Sequence, residues 1–167
     1  MADVRVLFWR GSGWIARIIR WRTGSPWTHC ATFIHWPGEL EGHTYEFNIR
    51  GAVETAGQKP CDEVRFPTRP LEVWEAAEIE RYWLGCIRWH NWYAFATLIG
   101  LFVIYPTRWF WERIGWRPFG AKFWGRVCSS GVAESFKRAR IDLVPARAEL
   151  YETPGEIHRS WFLRGEA

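Results

Sequence analysis

Cys128 is the residue best placed for nucleophilic chemistry, because it opens a segment whose apolar residues recur at helical spacing over residues 132–136. Ser129 and Ser130 follow it directly, and we expect them to cap the helix. The N–H groups and the positive dipole end of a helix favour a thiolate and lower the pKa of a cysteine there. Taken alone, such a stretch more often holds a buried core cysteine, so the assignment depends on the rest of the chain.

A thiol nucleophile needs a base, and the base needs a group that orients it. The histidines available are His29, His35, His43, His90 and His158. His29 has the best context, because it begins a β-branched and aromatic strand and has Glu46 on the next predicted strand. Side chains alternate along a strand, so an antiparallel hairpin would set Glu46 beside His29. Asn48 shares that face as an alternative orienter, and a merely solvated carboxylate is the competing interpretation of Glu46.

The elements that must position these residues can be read from apolar periodicity and from glycine and proline breaks. Strands are predicted at residues 4–8, 28–36, 43–49, 52–55 and 64–66, and helices at 14–22, 70–89, 92–105 and 129–139. A tail broken by prolines follows. The pattern predicts an α+β fold over residues 1–167 as one domain, with an antiparallel β-sheet packed against helices.

The order of these motifs resembles the permuted branch of the papain-like NlpC-type superfamily, which includes the YiiX-like hydrolases and the lecithin–retinol acyltransferase group. The likeness lies in residues 23–29 (Thr-Gly-Ser-Pro-Trp-Thr-His), 45–47 (Tyr-Glu-Phe) and 127–130 (Val-Cys-Ser-Ser). It implies a circularly permuted papain-like fold, with the histidine strand before the cysteine helix. The Ser-to-His step is one residue longer than in the family pattern, and residues 106–124, rich in arginine and tryptophan, have no counterpart in it.

The resemblance implies acyl transfer through a thioester, with Cys128, His29 and Glu46 as the catalytic residues. His29 would deprotonate Cys128, and Glu46 would hold the imidazole tautomer and stabilise its cation. The Cys128 N–H and one further, unassigned donor would stabilise the oxyanion. We therefore expect a cysteine peptidase or amidase that cleaves an amide bond. Family analogy adds a peptidoglycan peptide as its substrate and a bacterial or phage source.

The composition and the net charge indicate which classes of binding partner are compatible with the chain. The 167 residues include 14 tryptophans and carry a formal net charge of +4. The aromatic excess predicts a groove or a membrane interface, and the charge suits an anionic cell-wall polymer, a membrane surface or nucleic acid without selecting among them. We expect no nucleic-acid partner. No His/Cys cluster has zinc spacing and no phosphate-binding glycine loop is present, so neither a metal nor a cofactor is expected.

The N-terminal residues show no secretory signal, and the longest apolar run, residues 93–105, is too short to span a bilayer. These features predict a cytoplasmic protein, phage-encoded or peripheral to a membrane, whose four cysteines are free thiols. Two other functions remain open. One is a lipid acyltransferase or deacylase at a membrane surface, and the other is a non-catalytic binding module in which Cys128 is simply buried.

Overall fold

A computed structural model describes residues 1–48, 51–88, 128–144 and 153–165. In chain order these form β1 (Asp3–Trp9), α1 (Trp14–Thr23), β2 (His29–His35), β3 (His43–Asn48), β4 (Gly51–Ala56) and β5 (Glu63–Pro67). They continue with α2 (Val73–Arg88), α3 (Cys128–Arg138), α4 (Pro154–His158) and β6 (Leu163–Gly165). The helix predicted at 92–105, the stretch 106–124 and His90 lie outside the described residues.

The strands form a six-stranded sheet in the order β4-β3-β2-β1-β5-β6, and neighbouring strands are antiparallel throughout. The predicted α+β class and antiparallel sheet are therefore confirmed. Between β2 and β3, Thr32 faces Tyr45. Continuing that register by one pair puts Glu46 across from Ala31, on the diagonal from His29.

The two faces of the sheet bury different residues, as the predicted alternation requires. One face carries Phe8, Cys30, Ile34, Tyr45 and Phe47 into the main core, where Trp83, Val132 and Phe136 of the helices meet them. The opposite face carries a smaller cluster of Leu7, Ala31 and Phe33. The sheet is covered by helices on the face that holds Cys30, and His29 belongs to the other face.

Helix α3 packs against β2, β3 and α2, and it can approach the sheet closely because residue 131 is glycine. A Cβ at Gly131 would lie 2.5 Å from ring atoms of Phe47 and 2.9 Å from Trp83. This close approach brings the first residue of α3 to the beginning of β2.

Three local expectations need correction. Helix α3 begins at Cys128 itself, so the buried Ser129 and Ser130 lie within its first turn rather than capping it. Helix α2 begins at Val73, later than predicted, and the Glu72 N–H donates to the Glu75 carboxylate at 2.8 Å. The tail contains elements of its own, α4 and β6, and α4 begins with a capping box formed by Thr153 and Glu156.

Candidate active site

Cys128 is the first residue of α3, where the N–H groups of the first turn have no partner within the helix. Its side chain is partly buried against the main core. The positive end of the helix dipole therefore lies at the thiol and favours its ionised form.

The thiol of Cys128 lies against the start of β2 and contacts two consecutive residues there. The Cys30 S–H and the Cys30 backbone N–H donate hydrogen bonds to it, and His29 makes a further hydrogen bond. The pKa of Cys128 falls well below its usual range, chiefly because of the Cys30 S–H hydrogen bond and then the charge and hydrogen bond of His29, which together outweigh burial. These contacts favour the thiolate form of Cys128.

His29 carries the proton that Cys128 gives up. Burial alone would lower the pKa of His29, but the charge and hydrogen bond of Cys128, followed by the hydrogen bond and charge of Glu46, raise it to about 10. Nε2 of His29 lies 2.8 Å from Oε2 of Glu46, which leaves Nδ1 as the ring nitrogen for the thiol. The ring also packs on Trp9, with centroids 5.2 Å apart.

Glu46 binds two cationic groups with its two oxygens. Oε2 accepts from His29, and Oε1 accepts from Nζ of Lys59. The hydrogen bond to His29 is the largest cause that lowers the pKa of Glu46 to about 2; burial opposes it and Lys59 adds to it. Glu46 is therefore ionised and fixed in orientation, and it bonds to a His29 Nε2 that carries a proton.

The structure brings the three predicted residues, Cys128, His29 and Glu46, together into one connected group. Glu46, rather than the alternative Asn48, makes the bond to Nε2 of His29. Of the other described histidines, His35 bonds to the Glu39 carbonyl at 3.2 Å, and His43 and His158 pair with other carboxylates.

Two residues of this group were not predicted. Lys59 lies in the loop after β4, and no spacing in the sequence relates it to Glu46. Cys30 was not expected at the site, because adjacent residues of a strand point to opposite faces and His29 lies on the other face. At the first turn of α3, however, the Cys128 thiol reaches both residues. An adjacent His-Cys pair at the beginning of a strand was the available signal.

In the part of the chain that the structure describes, no group of three or more histidine, cysteine or acidic side chains is arranged to hold a metal ion. Within the same ranges, no helix combines the length and the apolar character that crossing a bilayer requires. No protein-family model matches the sequence, and no curated protein resembles it significantly. Function must therefore be argued from the geometry of the site.

Proposed function

We propose that this protein is a cysteine hydrolase that cleaves an amide bond through a thioester, with Cys128 as nucleophile, His29 as acid and base, and Glu46 as orienter. The observation that carries the proposal is the hydrogen-bonded contact of Cys128 with His29, backed by the 2.8 Å bond from His29 to Glu46. Acyl transfer by a thiol requires a nucleophile that is hydrogen-bonded to a base, and a third group that orients the base.

In the first half of the reaction, the Cys128 thiolate attacks the carbonyl carbon and forms an oxyanion, which the Cys128 backbone N–H stabilises. The C–N bond then breaks, the amine leaves with the proton of His29, and the acyl group stays on sulfur. In the second half, His29 takes a proton from water as the water attacks the thioester. The carboxylic acid departs, the thiolate is restored and His29 is again protonated.

The permuted papain-like fold belongs to this proposal. It is supported by the antiparallel sheet, by the position of His29 on β2 ahead of the cysteine helix in the chain, and by the location of Cys128 at the helix N-terminus. The family resemblance also supplies the substrate class, a peptide amide bond of peptidoglycan. Action on lipid esters or amides is the alternative within the same chemistry.

Two assays test the proposal: the first tests the nucleophile, and the second tests the substrate class. An activated ester such as p-nitrophenyl acetate should give a burst of nitrophenol from the wild type and from Cys61→Ala, but not from Cys128→Ala. Cys61 is a suitable control because it is partly exposed and its pKa is raised, chiefly by burial. Purified peptidoglycan should then release peptide amines, again only while Cys128 is present. Equal bursts from Cys128→Ala and the wild type would contradict the assignment of the nucleophile.

A further inference from the structure

Helix α1 is oriented against the usual rule for helices of globular proteins, which turn their apolar side toward the core. Its exposed side carries Trp14, Ile15 and Trp21, with 64%, 38% and 73% of their surfaces exposed. Trp14 and Trp21 are two helical turns apart and so project in nearly the same direction. None of the helix residues whose side chains are described is fully buried.

The half-buried residues of α1 are Ala16, Ile18, Ile19, Arg20 and Thr23. Ala16 lies beside Gly11, and the guanidinium of Arg20 donates to the carbonyl oxygens of Arg10 and Gly11 at 2.7 and 2.6 Å. These hydrogen bonds join α1 to the loop that precedes it. Its tryptophans contribute little to the core, so their exposure requires another explanation.

The charge of α1 indicates what this exposed side meets. Its ten residues, WIARIIRWRT, include three arginines and no acidic residue, and Arg17 lies exposed beside the tryptophans. Tryptophan prefers the boundary between lipid headgroups and acyl chains, and arginine is attracted to anionic headgroups. A short helix with both features lies in the plane of the interface rather than across the bilayer.

We propose that α1 is a docking surface for an anionic phospholipid bilayer, with Trp14 and Trp21 inserted at the headgroup boundary and Arg17 against the phosphates. This inference is independent of the proposed hydrolase activity. In the chain, α1 is followed by β2, whose first residue is His29, and the N–H of the intervening Thr28 bonds to the Trp9 carbonyl at 2.9 Å.

The test is co-sedimentation of the full chain with vesicles of phosphatidylcholine alone or of phosphatidylcholine mixed with phosphatidylglycerol. The wild type should bind the mixed vesicles, and added salt should weaken the binding. Trp14→Gln with Trp21→Gln should lower the partition coefficient by at least about tenfold. Trp161→Gln is the matched control, because Trp161 is 66% exposed but lies outside α1. It should change binding less than about twofold.

The contribution of Arg17 to binding is tested with a separate variant. Arg17→Gln should weaken binding to the mixed vesicles by about fivefold, whereas Arg81→Gln, an exposed arginine on α2, should not. Cys128→Ala should bind like the wild type. The proposal is overturned if the wild type does not sediment with anionic vesicles. Equal loss of binding in the Trp161 control and the α1 variant, with unchanged circular dichroism, overturns it too, as does equal binding to the two vesicle types.

Discussion

His29 and Glu46 meet across neighbouring strands, with Nε2 of the imidazole 2.8 Å from Oε2 of the carboxylate. The second carboxylate oxygen is bound by Lys59, so Glu46 cannot rotate without losing a charged partner. A fixed carboxylate behind the imidazole keeps the ring protonated and leaves its other nitrogen toward Cys128. The protonation state of the candidate site is thus controlled from the sheet, while the nucleophile is carried by a helix.

Glu46→Gln should alter the alkaline side of the pH profile. The variant keeps a group that can bond to the ring but loses the negative charge that helps raise the pKa of His29 to about 10. We expect kcat/KM to fall on the order of tenfold to a hundredfold, with its alkaline limb at lower pH. Glu54→Gln removes a carboxylate from another ion pair, 2.7 Å from His43, and should leave the profile unchanged. An unshifted alkaline limb in Glu46→Gln would refute the role of Glu46.

Cys30→Ala should make Cys128 less acidic, because it removes the S–H donor that contributes most to lowering the thiol pKa. At about pH 6 a higher pKa leaves less thiolate, so we expect alkylation of Cys128 by iodoacetamide to slow by about three- to tenfold. Cys86→Ala is the matched control, since it truncates another buried cysteine, which lies on α2. Peptide mass mapping gives the rates, and equal slowing in both variants would point to loosened packing instead.

Lys59→Met should reduce stability in a pH-dependent way. The pKa of Glu46 is about 2 in the folded protein against an ordinary 4.5, so its stabilisation is complete above pH 4.5 and is lost as the pH falls toward 2. Without Lys59 the folded pKa moves back toward 4.5. We expect a loss of about 1 kcal/mol at pH 7 that shrinks in more acidic buffer. Thermal melts of both proteins across this range test it; Lys59→Arg should stay near wild type, and a pH-independent loss would contradict the prediction.

Gly131→Ala should push α3 away from the sheet, because the new Cβ would lie 2.5 Å from the Phe47 ring. Overpacking of this kind costs about 1–3 kcal/mol, and alkylation of Cys128 should slow because the helix carries the thiol. Gly85→Ala is the control: a Cβ there meets nothing within 4 Å, so helix propensity should stabilise the protein by up to about 1 kcal/mol. Denaturant unfolding distinguishes the two, and equal stabilities would contradict the packing argument.

The strands were predictable from their β-branched and aromatic residues and from the glycine and proline breaks between them. The observed β2, His29–His35, and β3, His43–Asn48, lie within the predicted ranges. The contact between Cys128 and His29, in contrast, could not be predicted from local sequence patterns. It depends on how α3 packs on the sheet, and no local pattern encodes that packing, so only the family resemblance could suggest it.

The rest of the site was hidden for physical reasons. Lys59 lies in a loop and contacts Glu46 through its long side chain, and no periodic pattern in the sequence predicts such a contact. The donor role of Cys30 depends on the thiol lying at the end of a strand, where residues of both faces can be reached. The serines after Cys128 fit a cap by residue type, but the helix begins at Cys128, two residues earlier than a Ser129 cap requires.

The docking of α3 on β2 makes the acidity of Cys128 a property of tertiary structure. The helix and the strand are far apart in the chain, so Cys128 and His29 are in contact only while the two elements touch. A local opening that separates α3 from β2 would return the pKa values of Cys128 and His29 toward their ordinary ranges. The thiol would then lose its nucleophilic character before the sheet itself unfolds. The reactivity of Cys128 should therefore report on the equilibrium between the docked and the undocked positions of α3.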